Sequence, residues 1–145
     1  MSLFTALSVG ASGMSAQRAR AEKLVENLAN AETTRTPQGG PYRRQDVVFT
    51  TAAQASPFAS VFEDEIGGGN LGVRVADVVV DEREPLRRYI PGHPDADEQG
   101  YVAFPRVNPA EDMVDLMGAA RGYQANVAAM SAVKDMIHRS IELLR

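Results

Sequence analysis

A short segment near the middle of the chain, residues 93–100, has the side chains best suited to metal chemistry. Asp95 and Asp97 occupy the first and third positions of a calcium-loop pattern. The twelfth position, however, is Arg106, where that pattern requires a bidentate glutamate. His93 has no second histidine beside it, which also argues against a transition-metal site. The residues therefore predict a turn and not a metal centre.

Other residues that could take part in catalysis lack the partners they need. Ser12 lies in a Gly-Ala-Ser-Gly run, which is not the G-x-S-x-G elbow of a nucleophilic serine. His138 falls near the end of a predicted helix, where a histidine usually supports the last carbonyl groups. The glycines at 67–69 are not followed by the Lys-Ser or Lys-Thr of a phosphate-binding loop. The sequence therefore predicts no enzyme, no cofactor and no metal site.

The composition narrows the classes of function further. The chain has 145 residues, no cysteine and a net charge of −4. Without cysteine there are no disulfides and no thiolate zinc sites, and the acidic balance argues against a nucleic-acid partner. No apolar run approaches the roughly 20 residues needed to cross a bilayer. The apolar start lacks the early Lys or Arg of a signal peptide, so we expect any export to use another route.

The first thirty residues carry apolar side chains at heptad spacing, interrupted at one seam position by Arg18. This pattern predicts a helix over residues 3–30, about 42 Å long at 1.5 Å per residue, which suits packing against another long helix. Asn27 and Asn30 are expected to satisfy hydrogen bonds at its end. The residues of this helix predicted to form an assembly interface are Leu7, Met14, Val25, Asn27, Leu28 and Asn30.

The carboxyl end repeats the heptad pattern more strongly. Asn108 can cap a helix, Pro109 fits its first position and Glu111 completes a capping box, so we expect a helix over residues 109–145. Its predicted interface residues are Leu116, Tyr123, Val127, Met130, Ile137, Ile141 and Leu144. A second face of small residues, which would let another backbone come close, comprises Gly118, Gly122, Ala125, Ala128, Ala129 and Ala132.

The middle of the chain has a different character. Residues 31–72 are rich in Thr, Ser, Gly and Pro, which predicts mostly loop. Period-two patterns at 72–80 and 101–104 predict a hairpin or small β element. The predicted fold class is mainly α with a small β element: two long terminal helices form a coiled-coil-like pair, joined by a short irregular or β region. The predicted divisions are an axial helix and motif at 1–36, a loop-rich region at 37–107 and a second axial helix at 108–145.

Three arginines form a small basic cluster in this otherwise acidic middle region. They are Arg35, Arg43 and Arg44, whereas residues 37–107 sum to a charge of −4. A solvated loop would account for the cluster. Docking to an acidic neighbour would account for it equally well, because complementary charge guides association. Both interpretations remain open at this point.

The two predicted helices have more apolar surface than they can bury against each other. The segment between them offers little β structure, and twenty-one of the apolar residues of the chain are alanines, so an internal core would be thin. A helix that is apolar on more than one face needs more than one neighbour to bury its apolar side chains. We therefore expect the chain to be part of an assembly, in which neighbouring molecules cover the remaining apolar faces of the helices.

Specific motifs then resemble a known family. Residues 12–36, SGMSAQRARAEKLVENLANAETTRT, resemble the amino-terminal motif of the bacterial flagellar axial proteins of rod and hook. The proximal-rod members of that family are similar to TTRTPQGGPYRRQDVVF at 33–49, PGHPDADEQGYVAFPRVNP at 91–109 and EDMVDLMGAARGYQANVAAMSAVKDM at 111–136. The likeness spans nearly the whole chain and is weakest over residues 50–72. Arg106 departs from the family pattern, where Asn is expected.

This resemblance implies a structural function without catalysis. A proximal-rod subunit would polymerise through its terminal helices into the tube that transmits torque from motor to hook and passes exported subunits. Its location would be the flagellar basal body, across the periplasm, reached by type III export without a cleaved signal peptide. Its partners would be other copies, proximal and distal rod proteins, membrane-ring or rod-junction proteins and the export apparatus, with no nucleic acid and no small-molecule substrate. The alternative hypothesis is a non-polymerising coiled-coil adaptor or export chaperone.

Overall fold

The computed structural model describes residues 3–53 and 71–143, and within them two long helices flank four strands. This confirms the predicted fold class, mainly α with a small β element. No helix in these described ranges is long and apolar enough to span a membrane. The elements are α1 (Leu3–Ala29), β1 (Gln45–Ala53), β2 (Leu71–Val80), β3 (Leu86–Tyr89), β4 (Tyr101–Phe104) and α2 (Pro109–Glu142).

The ends of both helices lie close to their predicted positions. The first helix ends at Ala29, one residue before the predicted end. At the start of α2, Asn108 Oδ1 accepts a hydrogen bond of 3.2 Å from the backbone N–H of Ala110, so the predicted cap is present. The helix ends at Glu142, and Leu144, a predicted interface residue, lies outside the described residues.

The chain divides into two compact units, and each long helix contributes residues to both. Unit 1 comprises residues 1–19, 49–76 and 119–145, and unit 2 comprises residues 20–48 and 77–118. In unit 1, α1 and α2 run antiparallel at close range. A Cβ added to Gly13 would lie 3.0 Å from the amide nitrogen of Asn126, and one added to Gly122 would lie 3.1 Å from Cδ of Gln17. Glycine thus allows a long polar side chain of one helix to lie against the backbone of the other.

Within unit 1 only part of the predicted heptad seams lies between the helices. The most buried side chains there are Ala16 and Ala119, with 4% and 1% of their surface exposed. Val127 and Ile141, which the heptad pattern places in the seam, remain 45% and 59% exposed. The pairing face combines small residues, which bring the two backbones close, with part of the seam, since a Cβ added to Gly10 would lie 2.9 Å from Cγ of Met130. The other seam residues, such as Val127 and Ile141, lie on an exposed face.

The strands form two separate two-stranded sheets, β1 with β2 and β3 with β4. The prediction of mostly loop for residues 31–72 was therefore wrong at β1. This strand contains a Val-Val-Phe run followed by two threonines, all residues that favour strands, and it has β2 to pair with. The β3–β4 hairpin confirms the predicted β element. Its antiparallel register places Tyr89 opposite Tyr101, and their rings meet edge to face with centroids 5.4 Å apart.

Candidate assembly surface and its supporting polar cluster

A buried asparagine holds the start of β1 against α1 in unit 2. The Asn27 side chain is 0% exposed, and its Nδ2 donates to the backbone carbonyl of Gln45 at 2.8 Å. Its Oδ1 accepts two hydrogen bonds of 2.9 Å, from the Gln45 N–H and from the Tyr42 hydroxyl. One amide thus satisfies both backbone groups of a residue that begins a strand. Among the described residues, the Asn30 side chain bonds only locally, to the carbonyl of Glu26 and with Thr33, just past the end of α1.

Next to this amide lies a buried ion pair. Arg44 Nη1 is 2.9 Å from Oδ1 of Asp112, and Arg44 Nε is 3.1 Å from Oδ2 of the more exposed Asp46. The side chain of Asp112 is fully buried, and among the described residues neither of its oxygens accepts a hydrogen bond of good geometry, so Arg44 meets it as an ion pair only. Burial therefore raises the pKa of Asp112, because Arg44 offsets only part of the lost hydration. Burial acts to lower the pKa of Arg44, but the two carboxylates outweigh it and the pKa is raised.

The hydroxyl of Tyr42 shares this acidic surrounding. Burial raises its pKa to about 12, and the negative charges of Glu26, Asp112 and Asp46 add to the effect. The neutral phenol is therefore strongly favoured, so it stays a hydrogen-bond donor to Asn27 at every physiological pH.

These contacts decide, for one arginine of the basic cluster, between a solvated loop and docking to an acidic neighbour. Arg44 docks to acidic residues of its own chain, whereas Arg35 is an exposed residue 3.7 Å from Asp95. The sequence does not single out Asp112 or Gln45, although both make central contacts in this cluster. An aspartate in the first turn of a helix ordinarily interacts with the helix dipole. The sequence alone therefore gives no sign that this aspartate also pairs with an arginine.

The other sequence-predicted candidates for chemistry have structural contacts. Ser12 Oγ donates to the carbonyl of Val9 and accepts from the N–H of Val73, which ties α1 to β2 in unit 1. Asp97 Oδ1 accepts from two backbone N–H groups within its turn. His138 is exposed on α2. In the described ranges no three His, Asp or Glu side chains are grouped so that they could hold a metal ion. The glycines at 67–69 lie outside the described residues.

The predicted interface residues fall into three groups by exposure. Asn27 is buried, so it can influence assembly only through the residues it holds. Half-buried are Leu7, Met14, Leu28, Asn30, Leu116, Met130 and Ile137. Exposed are Val25, Tyr123, Val127 and Ile141. The structure therefore leaves part of the predicted set available to neighbours, and its place in an interface stays a prediction.

The exposed side of α2 carries two apolar stripes at helical spacing. The methionine stripe consists of Met113, Met117, Ala120 and Val127, and the alanine stripe consists of Val114, Gly118, Ala125, Ala129, Ala132 and Met136. A Cβ added to Gly118 would meet nothing within 4 Å, whereas Gly122 already lies against Gln17. The predicted small-residue face is thus exposed over most of its members, and a contiguous apolar surface of this kind marks an interaction site.

Comparison with known proteins shows the family of the chain. Residues 98–143 match the family described as flagellar basal body rod FlgEFG protein C-terminal. The flagellar basal-body rod protein FlgC of Borreliella burgdorferi is 38% identical over 100% of this chain and 99% of its own length. This chain belongs to the FlgC family. The FlgC proteins of Bacillus subtilis and Salmonella typhimurium are 39% and 36% identical, and each alignment covers 99% of this chain. The predicted flagellar rod family, and with it a structural basal-body rod subunit, is confirmed.

Proposed function

We propose that this chain polymerises in the proximal rod of the flagellar basal body, with its terminal helices forming the tube and its middle region on the outside. The tube would transmit torque from the motor to the hook and pass exported subunits. The FlgC relatives are named as basal-body rod proteins, which supports this assignment over an adaptor or an export chaperone. A structural subunit needs no catalytic group, and we propose no enzymatic activity.

The single observation that carries the proposal is the apolar surface left on α2. This helix of 34 residues is about 51 Å long at 1.5 Å per residue. Met113, Met117 and Val127 of the methionine stripe are 51%, 53% and 45% exposed. Apolar area removed from water contributes roughly 25 cal/mol per Å², so burying such side chains against a neighbour favours association. The alanine stripe allows a second neighbour to approach closely, because small side chains keep helix axes near each other.

The rod assignment also predicts the partners of the chain and its route of export. We propose that its partners are further copies of itself, the other proximal and distal rod proteins and the membrane-ring or rod-junction proteins. The flagellar type III export apparatus would carry it from the cytoplasm without a cleaved signal peptide. The axial regions 1–36 and 108–145 would then order fully only when neighbours cover their exposed faces, since binding supplies the apolar contacts that a single chain lacks.

Substitution of exposed stripe residues tests this proposal without disturbing the helix pair. Met113→Asp and Val127→Asp, the stripe variants, each place a charge on the methionine stripe, and the control Met113→Leu keeps the same position apolar. Each variant is expressed in a strain that lacks the gene, and its amount in purified basal bodies is measured by immunoblot. We expect at least a tenfold loss of incorporation for the two stripe variants and near wild-type incorporation for Met113→Leu.

Circular dichroism of the purified chains controls for folding, since all three substitutions lie on one exposed helix. Equal helical content together with lost incorporation locates the defect in assembly. Wild-type incorporation and swimming by both stripe variants would contradict the proposal that this surface is covered in the rod.

A further inference from the structure

A small basic pocket opens in unit 2 beside the glycine turn at residues 39–40. It has a volume of about 90 Å³, and four arginines line it together with a single acidic residue. Sites for small molecules usually have about 300–1,000 Å³, so this pocket suits the end of one side chain and not a metabolite. The charged lining residues are Arg43, Arg44, Arg83, Arg106 and Asp81.

Two of these arginines are already neutralised within the unit. Arg83 forms a bidentate pair with Asp81, with Nε 2.8 Å from Oδ1 and Nη2 2.6 Å from Oδ2. This hydrogen bonding lowers the pKa of Asp81 to about 2. Arg44 has the buried Asp112 and the nearby Asp46 as partners. The charge of Arg106 also contributes to lowering the pKa of Asp81, but within the described residues Asp81 forms its ion pair with Arg83 and not with Arg106.

The other two arginines have no such partner. Within the described part of the chain, no carboxylate oxygen forms an ion pair with Arg43 or Arg106 at 4 Å or less. Arg106 Nη1 makes one long contact of 3.3 Å, to the backbone carbonyl of Glu84. Both arginines are exposed at the pocket. The pocket therefore has two guanidinium groups without an ion-pair partner in the described residues, around a single carboxylate that is already paired with Arg83. Guanidinium groups bind carboxylates through paired N–H donors.

An acidic turn with matching properties lies elsewhere in the same unit. In the segment 95–98, Asp95 is held by Thr34, whose hydroxyl donates to it at 2.8 Å. Asp97 fixes the turn by accepting from two backbone N–H groups. Glu98 sits on this fixed turn with an exposed side chain. A rigid turn loses little conformational freedom on binding, which makes its exposed carboxylate a favourable ligand.

We infer that the basic pocket binds the Glu98 carboxylate of a second copy of this chain. Each copy carries both the pocket and the turn, and these are different surfaces. A contact between different surfaces is heterologous, and when repeated it builds a ring or an open helical polymer instead of a two-fold dimer. The open form is the one that suits a rod. The inference rests on the proposed rod function and adds to it a polar contact between outer regions, separate from the apolar stripes of α2.

Cysteine cross-linking tests the contact directly, because the natural chain has no cysteine. Gln38→Cys places a thiol beside the pocket, and Gln99→Cys places one beside Glu98. The two single variants are co-expressed in a strain lacking the gene, and purified basal bodies are treated with a short bis-maleimide. We expect a cross-linked dimer only when both variants are present. Strains that express either cysteine variant alone give the background level of cross-linking.

Charge substitutions then show whether the pocket makes this contact. In the Gln38→Cys chain, adding Arg43→Gln and Arg106→Gln should lower the cross-linked product at least fivefold. Adding Arg87→Gln, which changes an exposed arginine of β3 outside the pocket, should leave it unchanged. Basal bodies that contain both cysteine variants without their cross-link, or a cross-link insensitive to the pocket arginines, would overturn the inference and leave the rod function standing. Absence of the chain from basal bodies would overturn both.

Discussion

Removing the Asn27 side chain should selectively release β1 from α1. Asn27→Ala deletes one donor and one acceptor that together make three hydrogen bonds, two with the backbone of Gln45 and one with the Tyr42 hydroxyl. Asn30→Ala is the matched control, because that asparagine bonds only within its own turn in the part of the chain that the structure describes. Both variants remove the same atoms, one at the last turn of α1 and the other just past its end.

The expected loss follows from the number of groups left without partners. A typical intramolecular hydrogen bond contributes about 1 kcal/mol net, and a buried group left unsatisfied costs about 1–3 kcal/mol. Asn27 is fully buried, but Gln45 and Tyr42 are only half-buried, so water can recover part of the loss. We expect Asn27→Ala to lower the free energy of opening at β1 by about 3 kcal/mol. For Asn30→Ala, we expect about 1 kcal/mol or less.

Hydrogen exchange followed by mass spectrometry measures this opening at the site itself. A change of about 3 kcal/mol corresponds to roughly a 100-fold faster exchange at the start of β1, since 1.4 kcal/mol is a factor of ten. The Gln45 N–H should show the effect most clearly, because Asn27 is its acceptor. Equal exchange in the Asn27→Ala and wild-type chains at this amide would refute the proposed function of the buried asparagine.

Two further predictions concern α2. Asp112→Asn should gain stability relative to the wild type as pH rises from about 3 to 7, since the folded pKa of Asp112 lies above the unfolded value of about 3.9 and ionisation therefore destabilises the wild-type fold. Urea unfolding of both proteins across that range measures the difference, and a constant difference would contradict this reading. Gly118→Ala should stabilise the isolated chain by up to about 1 kcal/mol because the site is open, whereas Gly122→Ala should gain less because its Cβ would press on Gln17. Thermal unfolding compares the two, and an equal gain for both would argue against the helix contact.

The ends and types of the main elements follow from local sequence. Asn108 and Pro109 mark the start of α2 through capping geometry, and this requires no distant residue. β4 follows in the same way from its period-two pattern, and Gly100 directly before it has a φ of +83°, a conformation that favours glycine. The flagellar family can likewise be recognised from the sequence alone, because its motifs are contiguous stretches of the chain.

The pairing face of the helices follows only in part from the heptad pattern. The pattern includes Met130, which lies against Gly10, but it counts apolar residues and so misses Gly13 and Gly122, which admit the side chains of Asn126 and Gln17. The same limit applies to Asp112, whose burial depends on an arginine far away in the sequence. A local pattern cannot show which distant side chain completes a contact, so the supporting cluster emerges only from the three-dimensional structure.

The most direct test of the central claim is electron microscopy of basal bodies from a strain that lacks this gene, with and without the restored wild-type copy. A proximal-rod subunit predicts membrane rings without rod or hook in the deletion strain, and complete basal bodies after restoration. Complete basal bodies and functional filaments in the deletion strain, with no second copy of the gene to substitute, would contradict the rod assignment.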